Sequence, residues 1–187
     1  MFPLSEPIRT FLLHVCFKGD KMEIVKLDDL NKNMFQQTYI TALEEGFVDF
    51  VPKNMIKNLN NNFQSCFEEI CENGWSAFLC FEADIPIGVL VFGKSNIENA
   101  NTTDAILDAI YFRKDFHGKG FAQMGFNFIQ RVLLEQNFEK LFLWCSIENK
   151  RAWRFYEKNG FKQTKQKWND ELDGKIFHNI LLCKNLK

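Results

Sequence analysis

The stretch at residues 110–123, IYFRKDFHGKGFAQ, contains the residue types that bind an anion. An apolar run leads into a short basic loop, after which Gly118 and Gly120 open a segment with helical periodicity. Glycines let the backbone approach a ligand closely, and the free N–H groups in the first turn of a helix attract negative charge. The stretch is neither a Walker loop nor a G-x-G-x-x-G motif, so it predicts a phosphate-binding turn of another kind. The positive charge around this turn comes from Arg113, Lys114 and Lys119.

A second motif, ENKRAWRFYEKNGF, occupies residues 148–161 and predicts a short helix. Asn149 is placed as the N-cap of this helix, and Gly160 as the glycine that follows its end. Tyr156 lies inside the helix close to two other aromatic residues, an environment that by itself favours a core position.

In their order and spacing, these two motifs resemble the GCN5-related N-acetyltransferase (GNAT) superfamily. The pyrophosphate loop of that family reads Q/R-x-x-G-x-G/A, and residues 117–122 match it with His117 in the place of Gln or Arg. The family segment N-x-x-A-x-x-x-Y-x-x-x-G-F is matched by Asn149, Ala152, Tyr156, Gly160 and Phe161. The closing FHNILLCKNL and the order of elements are also similar, so the resemblance covers residues 22–187.

The resemblance implies that acetyl-CoA binds in a cleft between two splayed strands. By analogy, backbone groups of Ile110 and Phe112 hydrogen-bond the pantetheine arm, and the amides of residues 118–122 hold the pyrophosphate. Asn149 holds the pantetheine end, and basic residues such as Lys119 or Arg151 meet the 3′-phosphate. The cofactor-binding residues expected from the resemblance are Ile110, Phe112, His117, Gly118, Lys119, Gly120, Phe121, Ala122, Asn149 and Tyr156.

The resemblance also gives Tyr156 the role of a general acid that protonates the departing CoA thiolate. A phenol with a pKa of about 10 keeps its proton at neutral pH and can donate it to a leaving group. Because the surrounding motif is in register, we favour this catalytic role over simple core packing.

The acceptor amine must be unprotonated to attack a thioester, and candidate bases lie on the predicted strand at residues 105–112 or just before it. Asp104, Asp108 and Phe112 share a face if the strand alternates regularly. Asp108 stands inside the apolar run ILDAIYF, where burial would raise its pKa. Glu82 is a second candidate base. An outward polar position is an equal alternative for Asp108, and many relatives use water without one clear base.

The acceptor site is expected in the early helical region, residues 39–50, where Glu44, Glu45 and Asp49 could attract a cation. A solvated helix end is the other interpretation of these three acids. We therefore expect an N-acetyltransferase that uses acetyl-CoA and no metal, with a small-molecule or peptide amine as acceptor. A non-catalytic acyl-CoA-binding module of the same fold is the alternative. Relatives often form homodimers, but the sequence itself does not indicate an oligomeric state.

Helices and strands must position the expected site residues. The pattern of apolar and polar residues predicts the element order β-α-α-β-β-β-α-β-α-β-β. This is an α/β (α+β) domain with a central mixed, mostly antiparallel sheet flanked by helices. Strands are predicted at residues 22–27, 75–81, 87–94, 105–112, 140–145, 161–166 and 177–184. Helices are predicted at residues 29–45, 53–72, 118–137 and 150–159. The domain is expected to span residues 22–187, with residues 1–21 as an N-terminal extension or a strand of uncertain role.

Composition limits the classes of partner. The 187 residues carry a formal net charge of −1, but residues 41–110 hold 3 basic and 11 acidic side chains, and residues 111–167 hold 12 basic and 5 acidic. This pattern excludes a polyanion spread over the whole surface and fits a compact phosphate ligand on the basic segment. Scattered solvated faces explain it equally well. No aromatic and basic strand motif accompanies the charge, so we expect no nucleic-acid partner. Most of the 21 phenylalanines are expected in the core.

Cysteine spacing and hydropathy bear on the compartment. No pair among the six cysteines has the two-residue spacing of a zinc or redox motif, so free thiols in a reducing compartment are expected. No stretch approaches the roughly 18 apolar residues of a membrane span. We therefore predict a cytoplasmic protein without a membrane partner.

Overall fold

The computed structural model of the chain describes residues 15–18, 21–47, 63–172 and 174–187. The strands are β1 Val15–Lys18, β2 Glu23–Lys26, β3 Ser76–Glu82, β4 Ile85–Lys94, β5 Asp104–Phe112, β6 Lys140–Ser146, β7 Lys162–Leu172 and β8 Lys175–Asn185. The helices are α1 Lys32–Phe47, α2 Phe63–Glu72, α3 Phe121–Glu135 and α4 Lys150–Lys158, with a short 3₁₀-helix at Lys114–Phe116.

All of these strands belong to one sheet in the order β1-β2-β3-β4-β5-β6-β8-β7. Neighbouring strands are antiparallel except for β5 and β6, which run parallel. The prediction of a mixed, mostly antiparallel sheet flanked by helices is therefore confirmed. None of the helices in the described ranges is long and apolar enough to cross a membrane.

The last hairpin is longer than the sequence pattern predicts. Its strands were expected at residues 161–166 and 177–184, yet β7 continues to Leu172 and β8 begins at Lys175. Residues 165–169 are exposed and mostly polar, so no apolar alternation marks them as a strand. Backbone pairing with β8 is what keeps this part of β7 extended.

Two other segments differ from the expected boundaries. Residues 15–18 form an edge strand that pairs antiparallel with β2. The helix expected at residues 53–72 is seen as α2 from Phe63 onward, and residues 53–62 lie outside the described residues.

Two apolar clusters cover opposite faces of the sheet. One contains Phe126 of α3 and Leu90 of β4, and we call its side the α3 face. The other contains Phe35 of α1, Ile70 of α2 and Val89 of β4, and we call its side the α1–α2 face. Because Leu90 and Val89 are consecutive on one strand, their side chains point to opposite faces.

The sheet is split between β5 and β6. The two strands pair at only three positions, the last of which joins Ile106 to Phe142. Beyond this point β5 continues to Phe112 and β6 to Ser146 without pairing to each other, while β4 and β8 hold them on their outer sides. The split therefore opens in the middle of the sheet rather than at an edge.

A β-bulge at Asp108 reverses the faces of the sheet to which the side chains in the second half of β5 point. Two consecutive residues of β4 pair with Leu107 and Ala109, so that Asp108 is left over. As a result Leu107 packs on the α3 face and Ala109 on the α1–α2 face. The prediction that Asp104, Asp108 and Phe112 share one face is wrong, because the extra residue shifts the alternation by one.

Two adjacent leucines of α3 can be used to test how much the packing of this helix contributes to the free energy of unfolding. Leu133 is fully buried, whereas Leu134 is 40% exposed. We expect Leu133→Ala to lower the free energy of unfolding by about 2–5 kcal/mol, because it leaves a cavity in the core. Leu134→Ala should lower it by less than about 1 kcal/mol. Urea unfolding measures both, and equal losses would contradict the packing described for α3.

Candidate active site

The split between β5 and β6 opens into a cavity of about 1040 Å³. Its wall includes Phe112 and Tyr156 from the α3 face and Phe63 and Ile70 from the α1–α2 face. A cavity lined from both faces passes through the sheet, at the place where the two strands do not pair. Two ligands could therefore meet inside it from opposite sides.

Most of the site residues expected from the sequence line this cavity. They are Asp108, Ile110, Phe112, His117, Gly118, Gly120, Phe121, Ala122, Asn149 and Tyr156. Lys119 is not on the wall, and its ammonium lies 5.2 Å from the centroid of the Phe116 ring. The fold thus brings the two sequence motifs together around one space.

The turn between β5 and α3 presents a row of backbone N–H groups. Gly118 and Gly120 have φ values of 74° and 92°, which glycine adopts without strain. A Cβ atom at either position would meet nothing within 4 Å, so it is the backbone conformation that requires glycine there. Among the described residues, none accepts a hydrogen bond from the backbone N–H groups of residues 118–123. These donors, at the N-terminus of α3, are available to an anion.

The C-terminal part of α1 is anchored to the same turn. The carboxylate Oε2 of Glu45 accepts a hydrogen bond of 2.7 Å from the backbone N–H of Lys114. Glu45 therefore holds the loop, although the sequence placed it among residues that attract a cation. Glu44 is exposed, and Asp49 lies outside the described residues. Of the expected acceptor region, Tyr39, Ala42 and Gly46 lie on the cavity wall.

His117 is held in one neutral form by two partners. The guanidinium of Arg151 donates to Nδ1, which therefore carries the lone pair, so the proton of the ring is on Nε2. Nε2 donates to the carbonyl oxygen of Phe112 at 2.6 Å. Desolvation lowers the pKa of His117, and the charge of Arg151 lowers it further, against the opposing effect of the Phe112 carbonyl. The ring thus links the end of β5 to the first turn of α4.

Asn149 caps α4 with one of its two polar atoms. Its Oδ1 accepts a hydrogen bond of 3.0 Å from the N–H of Ala152, which confirms the expected N-cap. Within the described part of the chain its Nδ2 has no acceptor, so this donor is free beside the cavity. A reciprocal amide pair between Gln123 of α3 and Asn159 at the end of α4, with hydrogen bonds of 2.8 and 3.2 Å, fixes the two helices to each other.

Tyr156, on α4, is part of the cavity wall. The ring is half-buried and lies 5.5 Å, centroid to centroid, from both Phe155 and Phe161. The hydroxyl makes no hydrogen bond to any residue that the structure describes, so it can donate to a ligand. Desolvation raises the pKa of Tyr156, and nearby Cys145 and Tyr111 raise it further. The phenol therefore keeps its proton at neutral pH.

A cysteine thiol also lies on the cavity wall. Sγ of Cys145 is 3.6 Å from the carbonyl oxygen of Ser146, to which it donates a weak hydrogen bond. Burial raises the pKa of this thiol to about 12. The described cysteines that are free thiols are Cys71, Cys80, Cys145 and Cys183.

Asp108, at the bulge, and Glu69, on α2, are the carboxylates of the described cavity wall. Both are accessible to solvent, but protein atoms crowd Asp108, and this desolvation, together with the negative charge of Glu69, raises the pKa of Asp108 to about 6. Asp104 is buried elsewhere and accepts two hydrogen bonds from Asn101. Glu82 ends β3 and is not part of the described wall. Only Asp108, of the three candidate bases, lies at the cavity.

Several wall residues were not singled out by the sequence analysis, among them Glu69, Trp75, Trp144 and Trp168. None of these four belongs to either motif. A signal existed for Trp144, because its two strand neighbours are buried on the α3 face and alternation turns it to the opposite face. Glu69 lies in the last turn of α2, where an acidic side chain more often points to bulk solvent.

The protonation of His117 can be checked by an NMR titration of the histidine rings. We expect His117 to titrate below the usual histidine value of about 6.5. Arg151→Met removes a positive charge beside the ring and should raise this pKa, whereas Lys150→Met, at the exposed neighbouring position, should leave it unchanged. An unchanged pKa in Arg151→Met would contradict the contact between the guanidinium and Nδ1.

Solved structures share this fold. The PaiA N-acetyltransferase of Thermoplasma acidophilum, solved with coenzyme A, superposes with a TM-score of 0.68 at 16% identity, over 88% of this chain and 98% of that one. An N-acetyltransferase of Staphylococcus aureus Mu50 gives a TM-score of 0.68 at 16% identity, over 90% of this chain and 100% of that one. At such identities the likeness concerns the fold alone.

Sequence comparison goes further than the fold. A probable N-acetyltransferase of Mycobacterium tuberculosis is 23% identical over 158 residues, which cover 83% of this chain and 79% of that protein. The model of the acetyltransferase (GNAT) family matches residues 39–161, from within α1 to the third residue after α4. Both motifs and most of the described cavity wall lie within this range. The chain therefore belongs to the GNAT acetyltransferase family.

Proposed function

We propose that the protein transfers the acetyl group of acetyl-CoA to the nitrogen of a primary amine, by direct attack within a ternary complex. The observation that carries this proposal is the cavity through the split sheet. It has free anion-binding N–H donors beside α3 and carboxylates at the bulge and on α2. An anionic cosubstrate and a cationic acceptor would each meet complementary groups in the same space.

The cosubstrate end of the cavity suits the nucleotide part of acetyl-CoA. The free N–H groups of residues 118–123 would bind the pyrophosphate, and Lys119 and Arg151 would supply positive charge near it. The pantetheine arm carries amide groups, which can pair with a strand that lacks a neighbour. The side of β5 that faces the split is such a strand edge, and the free Nδ2 of Asn149 would donate to the arm from α4.

The leaving group needs a proton when the thioester breaks. In the proposed reaction the amine nitrogen bonds to the carbonyl carbon, the carbon–sulfur bond breaks and its electron pair stays on sulfur. The Tyr156 hydroxyl would give its proton to that sulfur, and solvent would then restore the phenol. Its raised pKa keeps the phenol protonated at neutral pH, so the proton is present when the sulfur leaves.

The amine must lose protons to form the amide. Its neutral form attacks, and the nitrogen becomes positively charged as the new bond forms. Asp108 would accept the proton that this nitrogen then sheds and would pass it to solvent. With a pKa of about 6, the carboxylate is ionised at neutral pH and is a better proton acceptor than an ordinary aspartate.

Release of free thiol from acetyl-CoA in the presence of a panel of amines tests the proposed activity. Turnover on at least one amine class supports acetyl transfer. Tight binding of CoA with no turnover on any amine would instead indicate a non-catalytic acyl-CoA-binding module.

Removing the Tyr156 hydroxyl should affect turnover and not cosubstrate binding. Tyr156→Phe keeps the ring and its packing, and we expect kcat to fall about 100-fold or more because the leaving sulfur loses its proton donor. The dissociation constant of CoA, measured by calorimetry, should stay within about twofold. Tyr111→Phe makes the same change at another wall residue and should retain most of the activity. Equal kcat values for the two variants would argue against an acid role for Tyr156.

The glycine turn can be tested with a matched pair of glycines. Gly118 and Gly174 have nearly equal φ values, 74° and 75°, and a Cβ on either meets nothing within 4 Å. Alanine at either position should cost about 1 kcal/mol in stability, from backbone strain. Only Gly118→Ala should weaken CoA binding, by about tenfold, because it displaces hydrogen-bond donors to a charged group. A similar loss of CoA affinity in Gly174→Ala would show that strain alone, and not the position of the turn, is responsible.

A further inference from the structure

The polar aromatic residues of this chain are concentrated on the cavity wall. All three tyrosines and three of the four tryptophans line it. Phenylalanine, with 21 copies, contributes only six of the described wall residues. Tyrosine and tryptophan combine a polar atom with a ring face that attracts cations, so these side chains can contact a cationic ligand while most of them also pack against the core.

Several of these rings stand together. Tyr39 of α1 and Tyr111 of β5 meet edge to face, with ring centroids 5.3 Å apart, and Phe63 of α2 lies 6.3 Å from Tyr39. Trp144 and Trp168 form a second pair, with centroids 6.2 Å apart and an interplanar angle of 70°. All five side chains belong to the cavity wall. We call the part of the cavity that these five rings line together with Asp108 and Glu69 the acceptor half. The rings give it π faces without charge.

The charged groups of the wall are separated by sign. In the described part of the wall, the positively charged side chains are Arg151 and Lys158, and both belong to α4. The acidic ones are Asp108 and Glu69. Within the same part of the chain the Glu69 carboxylate makes no hydrogen bond or ion pair, although its charge acts on Asp108. The acceptor half therefore holds two negative charges without a protein counter-charge among the described residues.

We propose that the acceptor is an amine with a second positive charge, a diamine or a longer polyamine. Its distal ammonium would bind to Glu69 among the aromatic rings while the reacting nitrogen lies at Asp108. This inference rests on the proposed acetyl transfer and names the substrate class of the same site.

The two carboxylates of the acceptor half favour a doubly charged acceptor over the other amine classes. A dication neutralises both carboxylates, and its distal ammonium gains the π faces of the surrounding rings as well. A monoamine leaves Glu69 without a counter-charge. A free amino acid would bring a third carboxylate into this half of the cavity, where repulsion opposes its binding.

Matched amines that differ only in the distal group provide the test. At each chain length from three to six carbons, the full-length protein is assayed with the α,ω-diamine, the n-alkylamine and the ω-amino acid. We expect kcat/KM to decrease in that order, with the best diamine about tenfold above its alkylamine. Glu69→Gln should reduce this diamine advantage to about twofold or less.

A neighbouring carboxylate and the pH profile separate this role from a structural one. Glu72→Gln alters an exposed acid of the same helix that is not part of the cavity wall and should keep the diamine preference. With an alkylamine, the inflection of kcat/KM near pH 6 should move to lower pH in Glu69→Gln, because a negative charge near Asp108 is lost. Unfolding caused by the substitution would not lower that inflection.

The outcomes distinguish this inference from the proposed function. If amines are acetylated but alkylamines or amino acids are preferred, or if Glu69→Gln keeps the diamine preference, the dicationic acceptor is wrong and acetyl transfer stands. If no amine is acetylated, calorimetry of 1,4-diaminobutane and its matched amines with the CoA complex still tests the site. Diamine binding that requires Glu69 supports the inference, and its absence overturns it.

Discussion

The end of backbone pairing between β5 and β6 is the constraint on which the site depends. After three pairs the strands separate, although each remains held on its outer side. A sheet normally separates the layers that pack on its two faces. Here the gap joins them, so that α4 and the glycine turn reach the same space as α1 and α2. The unpaired edge of β5 and the cavity are thus two aspects of one feature.

The bulge at Asp108 determines which side chains of β5 face each side of the split. It stands two residues after the last pairing position, and it exchanges the faces to which the rest of β5 points. Ile110 and Phe112 thereby join the core beneath α3, while Tyr111 turns toward α1. Without the bulge, the side chains of Ile110, Tyr111 and Phe112 would each point to the opposite face of the sheet. One additional residue therefore determines which side chains face each end of the cavity.

Local backbone requirements were readable from the sequence, and long-range pairing was not. The glycine turn and the Asn149 cap can be recognised from a short stretch of sequence, because each requires a particular residue type at a particular position. The bulge depends on how β4 pairs with β5, and alternation along β5 alone gave the wrong face. Glu69 reaches the cavity only because α2 packs on the sheet, and nothing near it in the chain marks that contact. Exposed polar strands such as the far half of β7 carry no apolar pattern at all.

The buried thiol of Cys145 has a consequence for the proposed use of a thioester. A thiolate in the same chamber could take the acyl group itself by thiol exchange, and the chain would then modify its own wall. With a pKa of about 12, only about one such thiol in 10⁵ is ionised at neutral pH. Burial thus makes this sulfur a poor competitor for the acyl group of the proposed cosubstrate.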